Sequence, residues 1–354
     1  MSRPALPPSI WLVIMAGGSG TRFWPKSRKL KPKQMLNFGG PDSLLNQTLS
    51  RFEGWVDPSR RMIVTTDILA ESIRNHVDAS VKILAEPQGR NTAPCVYWAA
   101  REVEKLDPDS VMLVMPADHA IADVESFRQS IQKAAIRASE TDELVTLGVR
   151  PTRPETGFGY LQTGKDCGEG CLRVTGFLEK PDITRAKKFL EDGNTLWNGG
   201  MFVWKTKSIL SEFDRLMPEM KEAWDSTGGN VAQAYPKMTA TSIDYGIMEK
   251  AQSVVTFPLD CGWDDLGSWL SIESFAAKIP GAVREGGVLM EGELLAIEST
   301  GNIVDAPGRL VALLGVRDLV VVESDGAILV AHKDRSQDIR QIVDALKTDH
   351  FGMI

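Results

Sequence analysis

Six residues, Gly17-Gly18-Ser19-Gly20-Thr21-Arg22, put three glycines after an apolar run and beside a run of cations. Backbone without Cβ atoms can turn its N–H groups toward an anion, as a phosphate-binding loop requires. Between Ala16 and Pro41 stand six cations (Arg22, Lys26, Arg28, Lys29, Lys31 and Lys33) and no acidic residue, in a chain of net charge −7. Alone, such a run reads as a solvated basic loop. Beside three glycines at the end of the first strand, where open α/β sheets bind ligands, it reads as an anion site. Arg22 offers a fork for two phosphate oxygens and Lys33 a point charge. Spacing excludes the two commonest loops of this kind. A P-loop needs a lysine directly after its last glycine, and none is present; counting G-x-G-x-x-G from Gly18 puts Phe23 at the final position. The second failure also disfavours a nicotinamide dehydrogenase.

Other side chains able to do chemistry stand at the ends of apolar runs. Asp118 closes the fourth run, and Asp265 lies in "GWDDLGSW" with Asp264 adjacent. Carboxylates at such loop positions are often only solvated or capping a helix. Lys180 precedes Pro181, which restricts the backbone before it and points to a fixed loop at a sheet edge, although a surface lysine fits as well. Asn198, before Gly199 and Gly200, could equally be a turn residue. Glu86, Asn91 and Thr92 follow the third run. Tyr97 and Trp98 fall in a helical pattern and read as packed. Cys167 and Cys171 sit in "CGEGC" without a second pair or a clustered histidine, so no structural metal is expected there.

The elements that must position these residues have a βαβ rhythm. Apolar runs at Trp11 to Ala16, Met62 to Thr65, Val81 to Leu84, Val111 to Met115 and Leu144 to Val149 read as strands. Helices are expected to begin near Ser43, near Ile68, at Thr92 and near Ser126, with Thr92 as an N-cap. The alternation implies an α/β fold with a parallel sheet. From Pro151 to about Gly200 the texture turns to glycine-rich hairpins, with strands at Gly159 to Thr163 and Leu172 to Leu178, expected to cover one edge of the sheet. Helical patterns return at Thr206 to Leu216 and Ile243 to Lys250. After Ala276 come six short strand patterns, "GVLMEG", "ELLAIES", "GNIVDA", "RLVALLG", "LVVVES" and "AILVA", then a helix near Asp338 to Lys347. A boundary near residue 270 divides the chain into residues 1–270 and 271–354. At 354 residues, 43% apolar and 25% charged, the chain can bury a substantial core. With a pI near 5.3 it has no global basic field, so no nucleic-acid partner is expected. The run before Gly17 is too short for a secretory segment and no run spans a bilayer, so no membrane association and a cytoplasmic location are expected.

"AGGSGTRFWPKSRKLKPKQML" resembles the signature of sugar-phosphate nucleotidylyltransferases, and specifically that of mannose-1-phosphate guanylyltransferases. "EPQGRNTAP", "MPADH", "FLEKP", "WNGGMFVW", "SIDYGIMEK" and "GWDDLGSW" continue the likeness across nearly the whole chain. The family's longer members carry a further C-terminal isomerase domain, expected to be missing here. The resemblance implies a Rossmann-like, mixed but mostly parallel catalytic sheet and a small β-helix-like C-terminal domain. It implies GTP and mannose 1-phosphate as substrates, Mg²⁺ as cofactor, and GDP-mannose and pyrophosphate as products.

The same resemblance implies that Ala16, Gly17, Gly18, Ser19, Gly20, Thr21 and Arg22 hold the nucleotide, and that Glu86, Asn91 and Thr92 help hold guanosine. Arg22 and Lys33 would stabilise charge, and Asp118 and Asp265 would hold the metal. Lys180 would bind the sugar's phosphate, while Glu179, Asn198 and the backbone near Gly159 and Tyr160 meet sugar hydroxyls. The β-rich tail would pack on the catalytic domain or make a homodimer. Nucleotidyl transfer is an in-line displacement dominated by positioning and charge neutralisation. An attacking phosphate dianion needs no base, so His119 reads as structural. Nothing in charge or spacing distinguishes guanine from thymine or cytosine. Two alternatives stay open: a nucleotidylyltransferase for another sugar 1-phosphate or base, and a regulatory protein that binds GDP-mannose without turnover.

Overall fold

The structure, a computed structural model, describes residues 9–18, 20–38, 40–276 and 281–349. These fall into two compact units. One comprises residues up to Gly17, Arg51–Pro116 and Ile121–Trp263; the other comprises Gly18–Ser50, Ala117–Ala120 and the chain from Asp264.

The first unit is built on a nine-stranded sheet. Its strands are β1 (Ile10–Met15), β2 (Arg61–Thr66), β3 (Lys82–Glu86), β4 (Val111–Pro116), β5 (Leu144–Val149), β6 (Gly159–Asp166), β7 (Leu172–Glu179), β8 (Thr195–Lys205) and β9 (Val254–Leu259), in the order β3-β2-β1-β4-β8-β5-β9-β7-β6. β1 ("IWLVIM") and β4 ("VMLVMP") are apolar on both faces, as strands covered by helices on each side must be. β1 pairs in parallel with β2 and β4, and β2 with β3. β8 is antiparallel to β4 and β5, β5 pairs in parallel with β9, and β6 and β7 run antiparallel to their neighbours, so the sheet is mixed. The Thr92–Leu106 and Thr206–Leu216 helices cover one face, burying Val96, Tyr97, Ala100, Ile209 and Phe213 in one cluster with Trp11, Val64 and Trp204. Side chains such as Val96, Ile209 and Phe213 each contribute about 1.5–3 kcal/mol on full burial.

Three local expectations change. The hairpin from Gly159 does not merely cover an edge: β6 pairs with β8 and β7 with β9, so it closes a circuit of hydrogen-bonded strands through β8, β5 and β9. The N-cap of the Thr92–Leu106 helix is Asn91, at φ 67°, whose side chain accepts from the Thr92 N–H; Thr92 is the first helical residue. The pattern at Ile243 to Lys250 forms a π-helix, Asp244–Met248, a conformation frequent at functional sites.

The second unit carries a five-stranded sheet, β10 (Val283–Arg284), β11 (Gly287–Ile297), β12 (Asn302–Leu314), β13 (Leu319–Ser324) and β14 (Ala327–His332), in sequential order. Four of the six short strand patterns fuse into the long, irregular β11 and β12, which pair in parallel with register shifts between Leu289 and Glu293. Asn302, fully buried, stitches successive turns by donating to Gly286 O (3.1 Å) and accepting from Leu319 N (2.9 Å). One core joins this sheet to the segment after the glycine loop: Phe23, Trp24, Leu36 and Phe38 pack with Trp269, Ile303, Val320 and Val322.

Candidate active site

In the second unit, a short antiparallel bridge brings together two carboxylate-bearing segments far apart in sequence. Ala120 N donates to Asp264 O (2.9 Å) and Asp264 N to Ala120 O (3.1 Å). This holds Asp118 and Asp265 beside the buried side chain of Lys33, whose ammonium donates to Asp118 Oδ2 (2.8 Å) and to Asp265 O. Burial pushes the Asp118 carboxyl up, but Lys33 and His119 outweigh it and hold it below the ordinary value. Asp265 goes the other way, to about 6: burial raises it, Lys33 opposes, and the neighbouring charges of Asp264 and Asp118 raise it further. The Asp264 carboxylate accepts from Leu266 N at 2.7 Å, and that of Asp265 from Gly267 N at 3.1 Å.

The glycine loop explains why Lys33 can sit there. Gly20 adopts φ 59°, and a Cβ on it would lie 2.4 Å from Lys33 Cβ and 2.7 Å from Lys33 N. Gly18 faces open space, Thr21 opens a short 3₁₀ turn, and the exposed Arg22 donates to Gly267 O at 3.4 Å. Ser19 lies outside the described residues. The six cations do not form one anion-binding run. Lys26 is buried against Asp305 at 2.6 Å, and Arg28 donates to Ser324 O at 3.2 Å, so these two anchor the segment on β12 and β13.

Two further clusters lie in the first unit. At the end of β3, Glu86 is buried and accepts a hydrogen bond from the Tyr235 hydroxyl. Its other oxygen lies 2.9 Å from where a Cβ on Gly17 would be, so a side chain there would push the carboxylate aside. Ala16 is tied into the sheet through its N–H to Val64 O (2.8 Å) and its carbonyl, which accepts from the Thr65 hydroxyl. The Thr92 hydroxyl accepts from Ile243 N at 2.8 Å, fastening the helix start to the segment before the π-helix.

The second cluster gathers around Asn198. Its Oδ1 accepts from the Thr146 hydroxyl (2.9 Å) and its Nδ2 donates to Asp244 Oδ1 (2.8 Å), so both ends of the amide are fixed. Asp244 is pushed up to about 7, first by burial and then by Glu179; the Asn198 bond opposes. Gly159 stands opposite Glu179 in the β6–β7 ladder, and Tyr160, buried, pairs with strands on both sides. Lys180, at φ 50° with its side chain 57% exposed, reaches Glu179 Oε1 at 3.1 Å.

The structure thus groups Gly20, Arg22, Lys33, Asp118 and Asp265 in one unit, and Gly17, Glu86, Gly159, Tyr160, Glu179, Lys180 and Asn198 in the other. Sequence reasoning missed Asp244 and Tyr235. Asp244 had a signal, lying in the quoted "SIDYGIMEK"; Tyr235 had none, since its partner is 149 positions away.

Residues 12–280 match the nucleotidyl transferase family, and residues 292–346 match the MannoseP isomerase/GMP-like beta-helix domain. The alginate biosynthesis protein AlgA of Pseudomonas aeruginosa is 38% identical over 94% of this chain and 71% of its own length. The mannose-1-phosphate guanylyltransferase of Escherichia coli is 35% identical over 96% and 74%. A crystal structure described as mannose-1-phosphate geranyltransferase from Thermus thermophilus superposes with a TM-score of 0.89 at 34% identity, covering 96% of this chain and 99% of that one. Two carboxylate segments bridged over a lysine beside a glycine loop are therefore found on a chain that belongs to the nucleotidyl transferase family.

Proposed function

We propose that the chain transfers GMP from GTP to α-D-mannose 1-phosphate, giving GDP-mannose and pyrophosphate. The observation that carries this reading is the Lys33 ammonium held between Asp118 Oδ2 and Asp265 O, on a residue whose backbone packs against Gly20 of the glycine loop. The likeness to mannose-1-phosphate guanylyltransferases supplies the identity of the sugar and the base.

The donor set fits Mg²⁺. Among the described residues no group of three or more His, Cys, Asp or Glu could hold a metal. An ion held by Asp118 and Asp265 would complete its shell with phosphate oxygens and water, as Mg²⁺ does and as an all-protein cage would not allow. When bound, Mg²⁺ neutralises phosphate charge and orients the triphosphate. Asp265 is assigned that role over Asp264 because its carboxyl lies in the field of Lys33 and Asp118. Lys33 and Arg22 stabilise charge on the triphosphate and on departing pyrophosphate. Lys180 holds the acceptor phosphate so that its oxygen attacks the α-phosphorus in line, while Glu179, Asn198 and the Gly159–Tyr160 backbone take the sugar hydroxyls. The buried Glu86 carboxylate supplies acceptors for the N–H groups on the Watson–Crick edge of guanine, with Asn91 and Thr92 shaping the segment around the guanosine. The enzyme acts in the cytoplasm as a homodimer; the exposed Leu295, Ile297, Leu310 and Leu314 on β11 and β12 support pairing through the β-rich region.

The test is pyrophosphate release from a grid of sugar 1-phosphates against the four nucleoside triphosphates with Mg²⁺. The reading expects GTP with mannose 1-phosphate to lead. Another pair leading would reassign the substrates, and ligand-induced thermal stabilisation without product at any metal concentration would make the chain a sensor.

A further inference from the structure

Tyr235 lies in a part of the first unit that motif reading leaves unassigned. Its ring is fully buried, edge-on to Trp98 with centroids 5.7 Å apart, and its hydroxyl donates to Glu86 Oε1. The opposite oxygen of Glu86 lies on the side of Gly17, 2.9 Å from where a Cβ there would stand. The carboxylate is therefore oriented through the Tyr235 hydrogen bond at Oε1. The other titratable groups around this pair are the buried thiol of Cys95 and the guanidinium of Arg90, which donates to Met238 O at 2.7 Å. Neither is bonded to the carboxylate.

We propose that Tyr235 is a positioning residue for nucleobase selection: its hydroxyl holds Glu86 as an oriented acceptor that accepts from a base edge with two adjacent N–H donors. The inference rests on the reading that Glu86 meets the base. Guanine presents such an edge through N1–H and the exocyclic N2 amino group. Uracil and thymine present one N–H between two carbonyls, and cytosine and adenine one amino group beside an acceptor, so none of them satisfies both oxygens of a fixed carboxylate.

The electrostatics agree with the geometry. Burial pushes Glu86 up to about 7, and the Tyr235 hydrogen bond opposes that rise. A donor to the charged form of a carboxyl favours ionisation, so without Tyr235 a larger fraction of Glu86 would be protonated near neutral pH. A protonated carboxyl has one fewer acceptor and adds a donor facing guanine's own donors. Tyr235 thus orients the acceptors and favours their charged form.

The test compares Tyr235→Phe with Glu86→Gln and the unaltered enzyme, using GTP and inosine triphosphate, which lacks the N2 amino group. Tyr235→Phe is expected to raise the KM for GTP about tenfold, in line with losing a hydrogen bond to a charged group. The loss should fall on the KM for GTP, with kcat and the KM for mannose 1-phosphate following the unaltered enzyme. The GTP preference over inosine triphosphate should narrow, and the acid limb of kcat/KM for GTP should move up by about one pH unit. An unchanged KM, preference and pH limb would overturn the proposal.

If Glu86→Gln weakens GTP and Tyr235→Phe does not, only the Tyr235 role fails; if neither does, the assignment of Glu86 to the base fails with it. Should Tyr235→Phe not fold, replacing the chain's four tyrosines with the more acidic fluorotyrosine tests the same bond. A stronger donor should move the acid limb down, and an unmoved limb contradicts the role.

Discussion

At the scale of single residues, the account gives each charged group near the glycine loop a different task because each has a different environment. Lys33 is buried and doubly bonded, whereas Arg22 is exposed and weakly bonded, and Lys26 is buried against Asp305. Removing one preorganised charge that acts on a reacting phosphate typically costs about 10²- to 10³-fold in turnover. Lys33→Ala should lose that much in a purified pyrophosphate-release assay; near-normal turnover would remove Lys33 from the mechanism. Asp264 and Asp265, indistinguishable in sequence, should separate in the same assay. Asp265→Asn should cost at least about 10²-fold, and Asp264→Asn far less, because the Asp265 carboxyl lies in the field of Lys33 and Asp118.

At the scale of elements, much was legible. The run Leu144 to Val149 coincides with β5, Trp11 to Ala16 with β1 to within a residue, and Thr206 to Leu216 with its helix, because uninterrupted β-branched runs and a 3.6-residue apolar period are strong local signals. What failed depended on partners distant in the chain. The closure of the Gly159 hairpin against β8, the π-helix at Asp244–Met248 and the fusion of short strands into β11 and β12 are set by tertiary pairing rather than by local propensity.

The same limit applies to the site. A basic segment beside glycines is visible in sequence, but the division of its cations into catalytic and anchoring ones is not, since Lys26 meets Asp305 across 279 positions. Lys26→Met should leave the fully buried Asp305 carboxylate without its ion-pair partner. Stability should then fall by about 3–5 kcal/mol in equilibrium denaturation; a loss under about 1 kcal/mol would show that the pair does not anchor the segment.

At the scale of the whole molecule, two raised carboxyls set an expectation for pH. Glu86 and Asp244 both sit near 7 in the folded chain, so the native state holds protons that the unfolded chain releases at ordinary carboxylate values near 4. Stability contributed this way is present below about pH 4 and is lost as pH rises toward 7. Groups held low, such as Glu143 beside Arg137 and Arg173, act in the opposite sense but only at more acid pH. Asp265, raised to about 6, acts in the same sense. Without ligands the chain should therefore unfold more readily at pH 7.5 than at pH 5.5, and the double variant Glu86→Gln, Asp244→Asn should reduce that difference to the part that Asp265 contributes. An unaltered slope in the double variant would mean that these two groups do not govern it. No helix of the described residues is long and apolar enough to cross a membrane. The acidic net charge leaves the local cations, rather than a global field, to attract a polyphosphate.

The most direct test of the central assignment is a crystal structure of the chain with a non-hydrolysable GTP analogue, mannose 1-phosphate and Mg²⁺. The account predicts a metal ligated by Asp118 and Asp265, triphosphate oxygens on the amides around Gly18 and Gly20, and Lys33 and Arg22 in contact with them. A triphosphate bound away from that loop, or a metal ligated without either aspartate, would contradict it.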